Sequence, residues 1–198
     1  FINKPFGYVH CFATRFYPYG VANFIKTPLK NLENKETPIA ELFGQSTANE
    51  LEEKIIHATD TQQRIEIIET FLFDKLNEKS TIDSIVKSTV NTLIATSGSS
   101  PIKAILKEDL SKRRQLERKF LKQIGMSPKQ LGKVVRLQTA LKLLLNQKTG
   151  TFTEIAYESE YYDQNHFIKD FKEFTGITPK EFLGKEQMIL SSLFYTND

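Results

Sequence analysis

The sequence predicts a mainly α-helical protein in which one small helical unit is built twice around a long central helix, preceded by short β-strands and two or three helices. Three observations carry this. From residue 39 onward the apolar residues recur at helical spacing. The stretches 116–131 and 167–182 match each other at a constant offset of 51 residues. Between them lies one uninterrupted amphipathic pattern of about 20 residues.

The chain has 198 residues, enough for one medium domain or two small ones. With 39% hydrophobic and 26% charged residues it reads as soluble and globular. No apolar run approaches the ~18–20 residues of a membrane helix, and no stretch has the order of a signal peptide, so a cytoplasmic protein without membrane partners is expected. The chain opens on Phe1 rather than Met, which leaves room for sequence upstream. Cys11 is the only cysteine, which excludes an intrachain disulfide and a cysteine-based zinc site.

Charge is unevenly placed. Residues 101–150 hold 13 Lys and Arg against 3 Asp and Glu, whereas 151–198 hold 4 against 9, and 1–80 hold 9 against 11. A basic block between two acidic segments points to a polyanion or, equally, to a solvated lysine-rich face.

Taken in order, "YVHCFATRFYPYGVANFI" is rich in aromatic and β-branched residues with turn signals at Pro18 and Gly20, which predicts two short strands. "PIAELFGQSTANELEEKII" predicts helix interrupted at Gly44, and "TQQRIEIIETFLFDKL" a further helix capped by Thr61. "TIDSIVKSTVNTLIATSG" predicts the next, stopped at Gly98. A boundary is placed at 79–80, dividing an N-terminal regulatory or oligomerisation segment, 1–79, from a second domain, 80–198.

Within each repeat, apolar residues four apart (Leu116 and Phe120, Phe167 and Phe171) pin one helix face to a core. A glycine five residues later, Gly125 or Gly176, supplies a left-handed stop. "SPKQ" and "TPKE" then open a new helix with an N-cap hydroxyl, proline at the first position and an amide or acid reaching back. With "PIKAILKEDL" and "TFTEIAYESEYY" as preceding helices, each unit reads as a helix-turn-helix, at about 101–124 and 153–175, joined by a linker helix at about 127–146. The linker is about 30 Å long, close to one DNA turn of roughly 34 Å.

The faces left over are polar. A helix capped by Ser111 leaves Arg113, Arg114, Glu117, Arg118 and Lys122 away from the core face, and one capped by Asp163 leaves Gln164, Asn165, His166 and Lys169 on its first exposed turns. Such side chains pair with base edges and phosphates in a major groove.

"LERKF…GMSPKQL…RLQTALKLL" followed by "IAYESEYYDQNHFIKDFKEFTGITPKEF" resembles the double helix-turn-helix DNA-binding domain of the AraC family of bacterial transcription regulators, over roughly residues 82–185. The resemblance implies an all-helical domain of about seven helices. Base contacts are implied from Arg114, Glu117 or Arg118 and from Gln164, Asn165 or Lys169. Phosphates are implied at the helix starts near Ser127 and Thr178, beside Lys129 and Lys180. The implied partner is double-stranded promoter or operator DNA, with RNA polymerase and a second copy of the chain as further partners. No cofactor is implied and no small-molecule effector is named. Two departures mark the first unit: Ser111 to Leu116 is one residue longer than Asp163 to Phe167, and "KEDLS" lacks the usual glycine. "RFYPYGVANFI", "PIAELFG" and "TQQRIEIIETFL" are similar to a shortened N-terminal domain of some members.

Other readings are weaker. His166 with Asp163 or Asp170 lacks enough ligands for a metal, and Cys11 beside His10 reads as packing. Tyr161 and Tyr162 are expected to pack the turn between helices, with a base-stacking platform as the lesser alternative. No phosphate loop, nucleophile elbow or histidine–carboxylate set is present, so no enzyme is expected. The alternative to a DNA-binding regulator is a protein-interaction module that keeps the fold but whose acidic second unit does not dock on DNA.

Overall fold

The computed structural model describes residues 12–76, 82–106, 109–146 and 150–184. Among these residues there are ten α-helices and no strand, and no helix is long and apolar enough to cross a membrane.

The expected N-terminal strands are not formed among residues 12–25, and residues 8–11 lie outside the described residues. The chain instead turns back, with the Gly20 N–H donating to the Tyr17 carbonyl at 2.6 Å, and continues as a single 3₁₀ turn, Val21–Asn23. A strand needs a ladder partner, and aromatic enrichment only says that a residue suits a half-buried surface. Here the partners are local and helical: Phe16 packs on Phe24 with centroids 5.6 Å apart, and Tyr19 packs on the core that includes Val90 and Phe120. The Tyr17 and Tyr19 hydroxyls donate to Asn91 Oδ1 at 3.3 and 3.5 Å.

Helices α1 (Ile39–Phe43) and α2 (Gln45–His57) are separated by Gly44, whose φ of 91° no L side chain adopts cheaply. Helix α3 (Thr61–Lys75) is capped by Asp60 rather than Thr61. The extended Asp60 backbone turns its carboxylate back to accept the Gln63 N–H at 2.8 Å, and Thr61 is already the first helical residue. An edge-to-face contact between Phe43 and Phe71 at 5.1 Å joins α1 to α3. The boundary expected at 79–80 lies outside the described residues.

Helix α4 (Ser84–Ala95) ends through Gly98, which has φ 77° and donates its N–H to the Leu93 carbonyl at 2.6 Å. A Cβ on Gly98 would lie 2.1 Å from the carbonyl oxygen of Gly132, so the end of α4 rests directly on the next long helix, backbone to backbone. The chain continues through α5 (Ile102–Ile105), a 3₁₀ turn (Leu110–Lys112), α6 (Arg113–Gln123) and α7 (Pro128–Asn146). Helices α8 (Phe152–Glu158), α9 (Gln164–Thr175) and α10 (Pro179–Leu183) complete it.

Two cores form on α7. Val86, Val90 and Leu93 of α4 meet Leu116 and Phe120 of α6 and Leu131 of α7. Farther along, Leu137, Ala140 and Leu144 of α7 meet Ile155 of α8 and Phe167 and Phe171 of α9. Each buried phenylalanine contributes on the order of 1.5–3 kcal/mol by leaving water. At 19 residues, α7 is about 28 Å long, enough to serve one core at each end. The 3₁₀ turn Leu29–Leu32 packs on α6, and the Leu29 carbonyl lies 3.2 Å from where a Cβ on Gly125 would stand.

Candidate nucleic-acid interface

The two helices that carry the candidate residues start differently. Asp163 has an extended backbone and its Oδ1 accepts the His166 N–H at 2.7 Å, so α9 is capped. Ser111 does not cap α6. The residue in the cap place is Lys112, which is helical and has no acceptor, and the turn before it is organised by Asp109. The Asp109 carboxylate accepts the Ser111 N–H at 3.2 Å and pairs with Lys112 at 2.8 Å, which holds the Asp109 carboxyl below the usual carboxylate range. The extra residue noted in the first unit is absorbed in this 3₁₀ turn.

Beyond their starts the helices agree. Arg114, Arg118 and Lys122 stand exposed on α6 at four-residue steps, one stripe along the helix. Asn165 and Lys169 occupy the positions of Arg114 and Arg118 on α9, 51 residues on, and are likewise exposed, whereas the position of Lys122 holds Glu173. His166 is exposed beside them, its ring edge-on to Tyr161 at 6.4 Å. Among the described residues no group of three or more His, Cys, Asp or Glu could hold a metal ion. Gln164 is half-buried, because its Oε1 accepts the Thr153 hydroxyl at 2.7 Å and ties α9 to α8.

Only one of the two tyrosines packs the turn. Tyr161 is 4% exposed, 5.5 Å from Phe167, and burial pushes its phenol up, with Asp170 adding and Arg136 opposing. Tyr162 is 85% exposed: with Tyr161 holding the core position, the next side chain projects outward immediately before the cap of α9.

The helix starts at Ser127 and Thr178 are both reciprocal caps. Ser127 Oγ accepts the Gln130 N–H at 3.2 Å while Gln130 Oε1 accepts the Ser127 N–H at 2.9 Å. Thr178 and Glu181 exchange the same bonds at 3.2 and 2.7 Å. Lys129 and Lys180 are exposed one residue beyond the proline in each.

Arg113, Glu117, Ser127 and Lys129 come together in a crevice of about 410 Å³ that also takes in Ser99 and Arg136. Arg113 is ion-paired with Glu117 at 3.1 Å, an exposed pair worth little and easily exchanged for another anion. Arg136 was not among the expected residues. The signal for it was present, since Lys129, Lys133 and Arg136 are spaced to share one face of α7.

Part of the basic block is neutralised within the fold. Lys119 pairs with Asp83, holding the Asp83 carboxyl below its usual range. Lys133 Nζ bonds Asp170 Oδ1 at 3.0 Å and Glu173 Oε2 at 3.2 Å. Burial alone would lower the Lys133 pKa, but these two carboxylates outweigh it and raise it.

A family model described as a helix-turn-helix domain matches residues 111–185. Among solved structures, the xylose-binding transcription activator XylR is similar at 22% identity and a TM-score of 0.43, over 55% of this chain and 28% of that one. This chain thus spans about 28% of the length of that relative. None of the curated proteins matches it. The matched stretch runs from just before α6 to just after α10 and includes both repeats with their glycine stops and capped restarts. Residues 111–185, with both repeats, are therefore similar to a helix-turn-helix domain.

Proposed function

We propose that the protein is a sequence-specific transcription regulator that sets α6 and α9 into successive major grooves of promoter or operator DNA. The observation that carries this reading is the pair of equivalent stripes, Arg114/Arg118 and Asn165/Lys169, both open to solvent on helices that each share a core with one helix about 28 Å long. Two half-sites one turn apart, roughly 34 Å, suit such a frame. Arg114 and Arg118 offer bidentate donors for guanine or phosphate, Asn165 matches the adenine edge, and Lys169 a guanine or phosphate. Lys122 continues the first stripe, Glu117 and His166 flank the two, and Gln164 contributes from its tether to Thr153. At the capped helix starts proline has no N–H and the cap takes the third, so the Lys129 and Lys180 N–H groups remain as donors to phosphate. A regulator of this kind acts by binding rather than catalysis, with RNA polymerase and a second copy of the chain as its further partners.

The acidic second unit favours a second reading, a protein-interaction module, because residues 151–198 hold 9 acidic against 4 basic residues. Selection of bound sequences from a random DNA pool, followed by titration at several salt concentrations, separates the two. If about 6 phosphates are neutralised, log affinity falls against log salt with a slope near −5. Replacing Asn165 and Lys169 with alanine should cost ~10–100-fold at one half-site only. Binding that cannot tell the selected site from random DNA, and that ignores the double substitution, supports the interaction module instead.

A further inference from the structure

Lys119 and Asp170 occupy the same position of the repeat, 51 residues apart, each immediately before the buried phenylalanine of its recognition helix. Both reach back to a helix that supports their unit. Lys119 pairs with Asp83, the cap residue of α4, 36 residues earlier. Gln123 reinforces this by donating to Asp83 Oδ2 and accepting the Asp83 N–H, both at 3.1 Å. Asp170 pairs with Lys133 of α7, 37 residues earlier. The architecture of the contact is repeated and its polarity is reversed: the support helix carries the carboxylate in the first unit and the ammonium in the second.

The second pair is the more buried, with side chains 22% and 3% exposed. Around it, Arg136 of α7 lies over the Tyr161 ring at 5.5 Å, and Asp170 Oδ2 has no hydrogen-bond partner in the structure. A buried ion pair is a poor source of net stability, because desolvation consumes most of the attraction, and apolar residues of similar size often do as well. What it does supply is discrimination. Helix α7 lends residues to both cores, so α6 and α9 each share a core with it and carry phenylalanines at equivalent positions. In the exchanged pairings Lys119 would face Lys133, and Asp170 would face Asp83. Both juxtapositions are repulsive, so each helix is accepted only by its own support.

We propose that Asp83–Lys119 and Lys133–Asp170 are charge-reversed latches, and that Lys133 and Asp170 are positioning residues that set the spacing between the two half-sites. The inference rests on the DNA-reading function proposed above. Gln164 lies six residues before Asp170 on α9, ~9 Å along the helix, so a tilt of ~15° about the latch displaces it by about 2 Å. That exceeds the tolerance of a bidentate base contact.

The test uses the full chain and the selected DNA site, with the spacer between half-sites changed by one base pair in either direction. Wild type should prefer the parental spacing by about tenfold or more. In Asp170→Asn and Lys133→Met that preference should shrink to about threefold or less, while affinity for the isolated first half-site is unchanged. The reversed pair K133D/D170K should restore it. If that variant does not fold, K133M/D170L serves: it should keep its melting temperature and still lose the spacing preference. A folded Asp170→Asn with the wild-type spacing profile overturns the latch, as does a K133M/D170L that retains it. A wild-type chain that prefers no sequence overturns the regulator reading and the latch with it.

Discussion

Helices α6 and α9 carry their buried phenylalanines, glycine stops and capped restarts at the same places, yet the surroundings of each differ. Helix α9 begins on a carboxylate cap, and its stop, Gly176, has nothing within 4 Å of where a Cβ would stand. Helix α6 begins on a capless 3₁₀ turn, and the equivalent Gly125 is covered by Leu29 of the N-terminal segment. The first unit is thus held from outside itself, by the N-terminal segment and by Asp83, whereas the second completes its own ends and takes its ion pair from α7. A duplicated motif keeps the apolar positions that make its core and is free to change how its ends are satisfied.

Truncating the shared core tests the likeness most strongly. Phe120→Ala and Phe171→Ala should each cost about 3–5 kcal/mol, measured by denaturant unfolding, and a large inequality would show that the two cores are not equivalent supports. The glycines test the difference. Gly125→Ala should cost about 2–3 kcal/mol, combining left-handed strain with a clash against the Leu29 backbone. Gly176→Ala should cost only about 1 kcal/mol of strain. Equal losses would mean that Leu29 yields without cost and does not hold the turn.

The caps come next. Asp163→Ala should lower stability by about 1 kcal/mol, while Lys112→Ala should change it by less than about 0.5 kcal/mol. A further effect concerns pH. Asp83 is depressed in the folded state by Lys119, so its contribution is present above the unfolded carboxyl value, about 4, and is lost as pH falls through the folded one. Asp83→Asn should therefore flatten the acid limb of the stability curve in that window. The change at neutral pH is under about 1 kcal/mol, since the pair is partly open to solvent.

Where local rules sufficed, the sequence was readable. Gly125, Gly176, Ser127 and Thr178 act through their own dihedrals and neighbours three residues away, and the apolar period marks which faces of α4, α6, α7 and α9 are buried. Where neighbouring residues compete for one place, or the partner lies in a distant segment, the outcome differs from the expectation. The aromatics at 16–24 score as strand, but they meet each other, Asn91 and the helical core rather than a ladder partner. Thr61 and Ser111 are acceptable caps, but a neighbouring aspartate with the better backbone geometry takes the place in one case and organises the turn in the other. Tyr162 is apolar enough to be buried, but Tyr161 already fills the site.

The sequence by itself determined the helical period, the doubled unit, its stops and restarts, and the exposed polar stripes, because all of these act within a turn or two of helix. Only the tertiary structure decided that α7 is divided between two cores, that Leu29 covers Gly125, and that Lys119 and Asp170 are latched with opposite polarity. The last two depend on which surfaces meet across 36 residues or more, and in all three close packing rather than local preference selects.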